Sequence, residues 1–525
     1  MSASTERKNR AAAREAGTDK KMLARQEAEK KAQKSRRRWT IGSILVAILL
    51  IVIILLNSGF LYKHTTAASV GERRYSPAEL SYYYLNEYSS FMSSYGSYAS
   101  LFGLDTTQGV SGLAEQSCPM LEEGKTWRDY FLDSALKNLQ QVSALRSYAD
   151  ANGITLDESE LAGIDEAIAS AAETAKSYGY NKVDNFFAAQ FGTGVNARLV
   201  RSLMAESALA SKALQQYSDS LSFDDAQLEE YYASLEGGSD LFDYAYYYVA
   251  AEKLPVEGGE SAAEGAEAET AVTEQTMLEA RMTAEAVEMA YQDGYDIDDP
   301  LERLNAAIEA ESDTDSATER DGVAGSNLSD MGDWLRDSAR KAGDLSVIED
   351  SKGEGYYVTL FLSRNDNHYP TVSVRHILIK AVPGEDGTYS AEANMAALER
   401  INEIKAEYES GDKTEESFAA LAEKYSEDTG SNANGGLYEN IYQGQMVKEF
   451  NDFCFAGHKS GDIGVVYGES SNYAGYHLIY FVGEGELYSN VIARNALTDT
   501  AMNDFVAAQT EGREPVLRYW AKLVG

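Results

Sequence analysis

Two short stretches, Val374-Arg-His-Ile-Leu-Ile379 and Gly475-Tyr-His-Leu-Ile479, decide the fold of the C-terminal part of this chain. Each is rich in residues that favour strands, and each carries one histidine in its middle. A lone histidine in a strand is usually a core residue with a satisfied hydrogen bond. If the two strands pair, however, His376 and His477 could meet within one domain. Spacing alone leaves both interpretations open.

Further candidate site residues lie between these two strands. Asp428 follows a helix-like segment that ends at Tyr425, just before a turn-rich stretch, residues 429–436. Met446 and Phe450 are four positions apart, a spacing that would place both on one helix face. The pattern fits an ordinary apolar stripe beside a satisfied polar core. It also fits an apolar pocket beside a polar wall.

The same order of elements occurs a second time, upstream. Tyr244-Ala-Tyr-Tyr-Tyr-Val249 is strand-like, as Val374–Ile379 is, and a long helix rich in Ala and Glu follows each. Near the end of each copy, Gly343-Asp-Leu-Ser-Val-Ile348 corresponds to Gly461-Asp-Ile-Gly-Val-Val466. We therefore predict an α+β chain with two tandem copies of one domain, over residues 240–366 and 372–483.

The second copy resembles the parvulin (PpiC-type) family of peptidyl-prolyl isomerases. It carries the motifs in the family order: Val374-Arg-His-Ile-Leu-Ile379, Phe418-Ala-Ala-Leu-Ala-Glu-Lys-Tyr-Ser-Glu-Asp428, Asn434-Gly-Gly436, Gly444-Gln-Met-Val-Lys-Glu-Phe450, Lys459-Ser-Gly-Asp-Ile463 and Gly475-Tyr-His-Leu-Ile479. The layout of an anchor, a helical domain and a parvulin domain is similar to PrsA-type foldases. The doubled domain is similar to SurA-type chaperones.

The resemblance implies roles for the candidate residues. His376 and His477 would be the two central histidines, and Asp428 would take a position that the family fills with Cys or Asp. Met446 and Phe450 would form the floor of a proline pocket. No cofactor is implied, because X–Pro isomerisation needs no covalent step.

Three positions differ from the family pattern. Gly435-Gly-Leu-Tyr-Glu439 stands where the family usually has Gly-Gly-Asp-Leu-Gly. Ile441 replaces an aromatic residue and is the third expected substrate-binding residue. Ala474 stands where some parvulins place a hydroxyl residue.

The first copy lacks the two histidines. Tyr246 aligns with His376, and Tyr357 aligns with His477. We interpret this copy as a degenerate parvulin-like domain without isomerase activity, retained for client binding or spacing. A linker domain with no role of its own is the alternative.

A basic tail and an apolar segment open the chain. Residues 1–38 hold 13 Lys and Arg against 5 Asp and Glu, and residues 39–62 contain no charge. That apolar length suits a transmembrane helix, and the basic tail then lies in the cytosol. This predicts a single-pass protein of the cell membrane whose bulk is extracytoplasmic. A signal peptide cleaved near Ala68 is the alternative.

Three other segments complete the organisation. Residues 70–235 have apolar residues at helical spacing and are predicted to form a helical domain like the N-terminal region of SurA and PrsA proteins. Residues 255–276 are acidic and repetitive, which predicts a disordered insertion in the first copy. Residues 486–525 form a helical tail with apolar residues that need cover, and we expect it to pack back on the helical domain.

The composition excludes several classes of function. The whole chain has a net charge of −38, although its N-terminus is basic, so the body should not bind nucleic acid. The five histidines do not have the spacing of metal ligands, which argues against a metalloenzyme. Cys118 and Cys454 are expected to be buried free thiols.

Three functions remain compatible with these observations. The first is an extracytoplasmic peptidyl-prolyl isomerase and chaperone that acts on unfolded or proline-containing polypeptides. The second is a non-catalytic holdase that uses parvulin folds only to bind clients. The third is a structural or receptor-like envelope protein built on the same fold.

Overall fold

The structure is a computed structural model that describes residues 3–17, 20–57, 59–255, 270–294, 296–311, 315–384 and 387–525. The chain divides into two compact units. The first comprises Met1–Leu221 with Thr500–Gly525, and the second comprises Ser222–Asp499. The fold mixes helices and sheets, with a helical region in the first unit and two sheet domains in the second.

Two helices, α1 (Ala3–Glu15) and α2 (Lys20–Asn57), open the first unit. Within the described ranges, no helix combines the length and apolar character needed to cross a bilayer. The predicted membrane helix, residues 39–62, includes residue 58 and side chains of 51–57 that lie outside the described part of the chain. It stays a prediction.

The rest of the first unit is mainly helical. Its elements are α3 (Phe60–His64), β1 (Ala68–Val70), β2 (Arg73–Tyr75), α4 (Pro77–Tyr95), α5 (Trp127–Asn152), α6 (Glu158–Ser177), α7 (Val183–Phe191) and α8 (Ala197–Ser220). Capping boxes at Ser76, Thr126 and Asp157 satisfy the first free N–H groups of α4, α5 and α6. Trp127 and Phe131 on α5 are fully buried and centre the core.

The second unit begins with α9 (Asp225–Ser234), which corrects the predicted end of the helical domain at residue 235. Leu228 of α9 is fully buried in a cluster with Ala493, within the second unit. The Tyr232 hydroxyl donates to Asp240 at 2.7 Å, just before the first strand of the sheet. The contact of Leu228 with Ala493 is long-range in sequence, so the helical pattern of α9 could not reveal which unit it joins.

The first sheet domain has a main sheet of four antiparallel strands and a separate pair of short strands. Its elements are β3 (Leu241–Ala250), β4 (Lys253–Pro255), β5 (Thr270–Val272), α10 (Glu274–Asp293), α11 (Pro300–Glu311), β6 (Thr318–Ala324), α12 (Gly332–Leu335), β7 (Leu345–Glu349) and β8 (Gly355–Asn365). The strand order is β6-β3-β8-β7. Helices α10 and α11 cover one face with an apolar cluster that includes Val287 and Ile308.

The second sheet domain has the corresponding strand order, β10-β9-β12-β11. Its elements are β9 (Pro370–Lys380), α13 (Ala391–Ser410), α14 (Glu415–Tyr425), β10 (Leu437–Ile441), α15 (Lys448–Cys454), β11 (Ile463–Ser470) and β12 (Tyr473–Leu487), and α16 (Tyr488–Thr510) follows. All of its strand pairs are antiparallel, as in the first sheet domain.

The two sheets also share their register at the positions aligned from sequence. Tyr357 pairs with the residue two positions after Tyr246, and His477 pairs with the residue two positions after His376. The tyrosine rings lie 5.6 Å apart between centroids, and the histidine rings lie 5.3 Å apart. The first domain therefore places two tyrosines where the second places its histidine pair.

The predicted disordered insertion, residues 255–276, extends too far toward the C-terminus. Thr270–Val272 forms β5, which pairs with Lys253–Pro255, and α10 begins at Glu274. The β-prone Thr-Ala-Val sequence and the Thr273 cap give this end regular structure. Residues 256–269 of the insertion lie outside the described residues.

The C-terminal tail contacts the helical part of the first unit. Strand β13 (Val516–Leu517) pairs with β1, and Ala521 and Val524 are buried in the core around Trp127. The Arg128 guanidinium donates to the carbonyls of Ala521 and Val524, each at 3.2 Å. These contacts join the two sequence segments of the first unit in one core.

Candidate active site

The pairing of β9 with β12 brings the two histidines of the second sheet domain together. Successive residues of a strand alternate between faces, so His376 and His477 point to the same side as diagonal neighbours. Their Nδ1 atoms are 3.1 Å apart, and each residue is 4% exposed. A buried polar pair of this kind needs further partners, and each ring has one at its outer nitrogen.

Asp428 is the partner of His376. It lies just beyond α14, where its Oδ2 atom is 2.9 Å from His376 Nε2. Two hydroxyl groups also donate to this oxygen, from Ser431 at 2.6 Å and from Tyr438 at 3.1 Å. Hydrogen bonds from His376 and Ser431 hold the pKa of Asp428 well below its usual range, although burial acts in the opposite direction. The carboxylate is therefore ionised at neutral pH.

His477 has a different partner at its outer nitrogen. Its Nε2 atom is 3.0 Å from the hydroxyl of Tyr473, which lies four residues earlier on the same strand. Burial, with a smaller contribution from His376, lowers the pKa of His477 to about 3. His477 is therefore a neutral imidazole at pH 7, and one of its nitrogens is an acceptor.

Phe450 forms the apolar side of the site. Its ring meets both imidazoles edge to face, at 5.5 Å from His376 and 5.2 Å from His477 between centroids. The side chain is 2% exposed and is held in an apolar cluster that includes Val374 and Cys454. An aromatic floor thus lies directly beside the polar network.

Met446 contributes to the same apolar side, but not from a helix. Val447 caps α15 with an extended backbone, so the helix begins at Lys448. The predicted shared helix face of Met446 and Phe450 is therefore wrong. Both side chains nevertheless line one cavity.

These groups enclose a cavity of about 240 Å³. It is lined by the five residues predicted from sequence together with five others: His376, Asp428, His477, Met446 and Phe450, with Leu378, Tyr438, Gln445, Val447 and Tyr473. The cavity has an apolar floor and one polar wall. This arrangement can hold a small apolar ring while presenting hydrogen-bonding groups to an adjacent peptide group.

Ile441, the remaining predicted substrate-binding residue, lies outside this lining. It is fully buried in the apolar cluster around Phe450. The register of β10 against β9 shifts between Tyr438 and Ile441, and Asn440 has a φ of 55° within that shift. The irregularity turns Ile441 inward and leaves Tyr438 on the cavity wall.

The glycine pair before β10 allows the chain to approach His376 closely. Gly436 accepts a hydrogen bond from the backbone N–H of His376 at 2.8 Å. Both glycines have positive φ, and a Cβ at Gly436 would lie 2.2 Å from the carbonyl oxygen of His376. The Gly-Gly pair therefore has a structural reason to precede Leu437, whatever residues follow it.

Three residues of the network were missed by sequence reasoning: Ser431, Tyr438 and Tyr473. Ser431 lies in the turn-rich stretch, residues 429–436, and no sequence feature singles it out from the other residues there. Tyr473 could have been found from the strand period, because residues four apart on β12 share a face with His477. Tyr438 could be assigned to the site only from the pairing of β10 with β9.

Comparison with known proteins agrees with this geometry. Residues 356–483 match the family described as the PPIC-type PPIASE domain. The chain carries a parvulin-type domain. The matched range contains the whole candidate site, and the predicted resemblance is confirmed.

The similar proteins are foldases. A foldase protein PrsA 3 from Bacillus anthracis is 34% identical over 125 residues, which is 23% of this chain and 35% of that protein. A foldase protein PrsA 1 from Listeria innocua is 31% identical over 149 residues, 28% of this chain and 40% of that protein. This chain thus spans about a third to two-fifths of the length of these relatives.

A solved structure of the PrsA peptidylprolyl isomerase from Bacillus cereus is also similar. It is 30% identical, and the match covers 28% of this chain and 49% of that one, with a TM-score of 0.18.

Proposed function

We propose that this protein is an extracytoplasmic peptidyl-prolyl cis–trans isomerase and folding chaperone. The observation that carries the proposal is the cavity in which Phe450 lies edge-on to His376 and His477. Its substrates would be unfolded or proline-containing polypeptides. The match to a PPIC-type domain and the similarity to PrsA foldases support the same activity.

The reaction places few demands on such a site. Rotation about an amide bond has a barrier of ~18–20 kcal/mol because resonance must be lost, and an uncatalysed X–Pro bond takes tens to hundreds of seconds. No bond is broken and no proton is transferred in the net reaction. An enzyme must therefore bind the twisted amide better than either planar form.

Each part of the cavity suits one part of that task. Met446 and Phe450 would hold the proline ring by apolar contact. The wall of His376, Asp428 and His477 would present fixed polar groups to the twisted amide, whose nitrogen and carbonyl differ in charge from those of the planar form. Because the two histidines are buried and each is hydrogen-bonded at both ring nitrogens, the wall needs little reorganisation during the reaction.

The first sheet domain is proposed to bind clients without isomerising them. Its tyrosines at positions 246 and 357 occupy the places of the histidine pair, so the polar wall is replaced by aromatic rings. This replacement favours a holdase contribution from the first domain. The whole protein would then combine catalysis in one domain with client binding in the other.

Two measurements on the full chain separate these functions. Isomerisation of a proline tetrapeptide should be accelerated, and aggregation of an unfolded client should be suppressed. Suppression of aggregation without isomerisation would leave only the holdase. Absence of both would support the structural or receptor-like alternative.

We also propose that residues 39–62 anchor the protein in the cell membrane, with residues 1–38 in the cytosol. The support is the uncharged segment and the basic tail before it. A reporter that is active only outside the cytosol, fused after Gly525, should then be active. Activity of a cytosol-only reporter at the same position would contradict this topology.

A further inference from the structure

We propose that Tyr473 is a positioning residue that selects the tautomer of His477 and thereby directs the hydrogen bonds of the whole site. This proposal rests on the proposed isomerase function for its catalytic consequence. The geometry behind it does not depend on that function. Tyr473, His477, His376 and Asp428 form one continuous chain of hydrogen bonds, with links of 3.0, 3.1 and 2.9 Å.

The direction of this chain follows from its Asp428 end. An ionised carboxylate can only accept, so the nitrogen of His376 that faces it, Nε2, must carry a proton. The direction holds for the state in which His376 is neutral, because its other nitrogen, Nδ1, is then an acceptor. In that state the Nδ1 atom of His477, its neighbour at 3.1 Å, is the donor.

The same reasoning fixes the other end. Since His477 is neutral and donates through Nδ1, its Nε2 atom carries a lone pair. The Tyr473 hydroxyl keeps its proton at neutral pH, because burial raises its pKa. Tyr473 therefore donates to Nε2. Every hydrogen bond in the chain then points from Tyr473 toward Asp428.

The fold makes room for this contact at one position. Gly468 on β11 is buried opposite the His477–Tyr473 pair. A Cβ added there would lie 2.6 Å from His477 Nε2 and 3.2 Å from the Tyr473 hydroxyl. Glycine in a strand interior is unfavourable, and here it permits the close approach of the two side chains.

Loss of the Tyr473 hydroxyl would change the hydrogen bonds of the whole site. Without the Tyr473 hydroxyl, Nε2 of His477 would be buried with no donor, and the preference for the Nδ1–H tautomer would weaken. In the other tautomer, two lone pairs would face each other across the 3.1 Å contact between the histidines. The polar wall would then no longer have one fixed set of hydrogen-bond donors and acceptors.

Tyr473→Phe in the full chain tests the proposal. The five histidines of the chain can be labelled selectively with ¹⁵N, and the imidazole resonances report which nitrogen is protonated. The unsubstituted protein should show His477 protonated at Nδ1 and unprotonated at Nε2. Tyr473→Phe should show a mixture of both tautomers, and kcat should fall roughly 10-fold, as expected for one lost buried hydrogen bond.

Two further variants sharpen the test. Gly468→Ala should reproduce the tautomer mixture from the other side of the contact while retaining the hydroxyl. Tyr476→Phe is the matched control, because its side chain lies on the opposite face of β12 near Tyr467. It should leave both the tautomer and the activity unchanged.

The tautomer measurement separates this proposal from the proposed function. A single, unchanged Nδ1–H tautomer in Tyr473→Phe would overturn the positioning role, whatever the activity. Protonation of His477 at Nε2 in the unsubstituted protein would overturn it as well. An unsubstituted chain without isomerase activity would remove the proposed function but leave the tautomer result to decide the positioning role.

Discussion

Phe450→Ala is expected to lower kcat/KM for a proline tetrapeptide by roughly 10- to 100-fold. The ring is the largest apolar group on the cavity floor and contacts both imidazoles. Removing its apolar contact with a proline ring should cost about 1–3 kcal/mol of binding in the transition state. Each ~1.4 kcal/mol corresponds to a tenfold change in rate. The measurement is an isomerase assay on the full chain.

A matched variant distinguishes lost contact from lost structure. Phe455 belongs to the same apolar cluster but packs against Tyr369, outside the cavity lining. Phe455→Ala should reduce stability with little change in kcat/KM. If Phe450→Ala leaves kcat/KM unchanged in a folded protein, the proline pocket lies elsewhere.

Truncation after Gly512 should destabilise the first unit by roughly 3–5 kcal/mol. It removes β13, the buried side chains of Ala521 and Val524, and the carbonyls bound by Arg128. Each hydrogen bond contributes about 1 kcal/mol, and burial of a valine contributes about 1.5–3 kcal/mol. Hydrogen exchange of the full chain measures this locally, since α4 and α5 should exchange faster.

The second unit provides the internal reference for this experiment. Strands β9 and β12 should keep their exchange rates, because the removed residues are not part of that unit. Tyr519→Ala is a suitable control, since that side chain is 70% exposed. Unchanged protection of α5 in the truncated chain would show that the tail adds nothing to the core around Trp127.

The histidine pair was accessible from sequence because strand geometry is strictly periodic. Once two histidine-centred strands are assigned to one sheet, a diagonal contact between them follows from the pleat alone. The tandem sheets were accessible for a related reason. Similar sequence motifs at both ends of each copy indicated a repeat. The observed strand orders, β6-β3-β8-β7 and β10-β9-β12-β11, correspond to each other.

The errors concern features that depend on irregular backbone or on distant partners. A register shift in β10 turns Ile441 into the core and puts Tyr438 on the wall. The N-cap at Val447 separates Met446 from its expected helix. Helix α9 joins the second unit through Ala493, more than two hundred residues away in sequence. The local secondary-structure propensity of a segment does not determine a register shift, a cap position or a contact with a distant residue.

The sequence also did not identify every residue of the hydrogen-bond network. Asp428 was identified because it lies between the end of a helix and a turn, whereas its donors Ser431 and Tyr438 are common polar residues without a distinguishing pattern. The role of Gly468 was also hidden, since its importance comes from the space needed across two strands.

The central claim is that the cavity beside His376 and His477 catalyses X–Pro isomerisation. Exchange NMR on a short proline peptide measures cis–trans interconversion directly, without a coupled protease. Substoichiometric full-length protein should accelerate exchange between the cis and trans signals, and Phe450→Ala should remove most of that acceleration. Exchange at the uncatalysed rate in the presence of the folded, unsubstituted protein would contradict the claim.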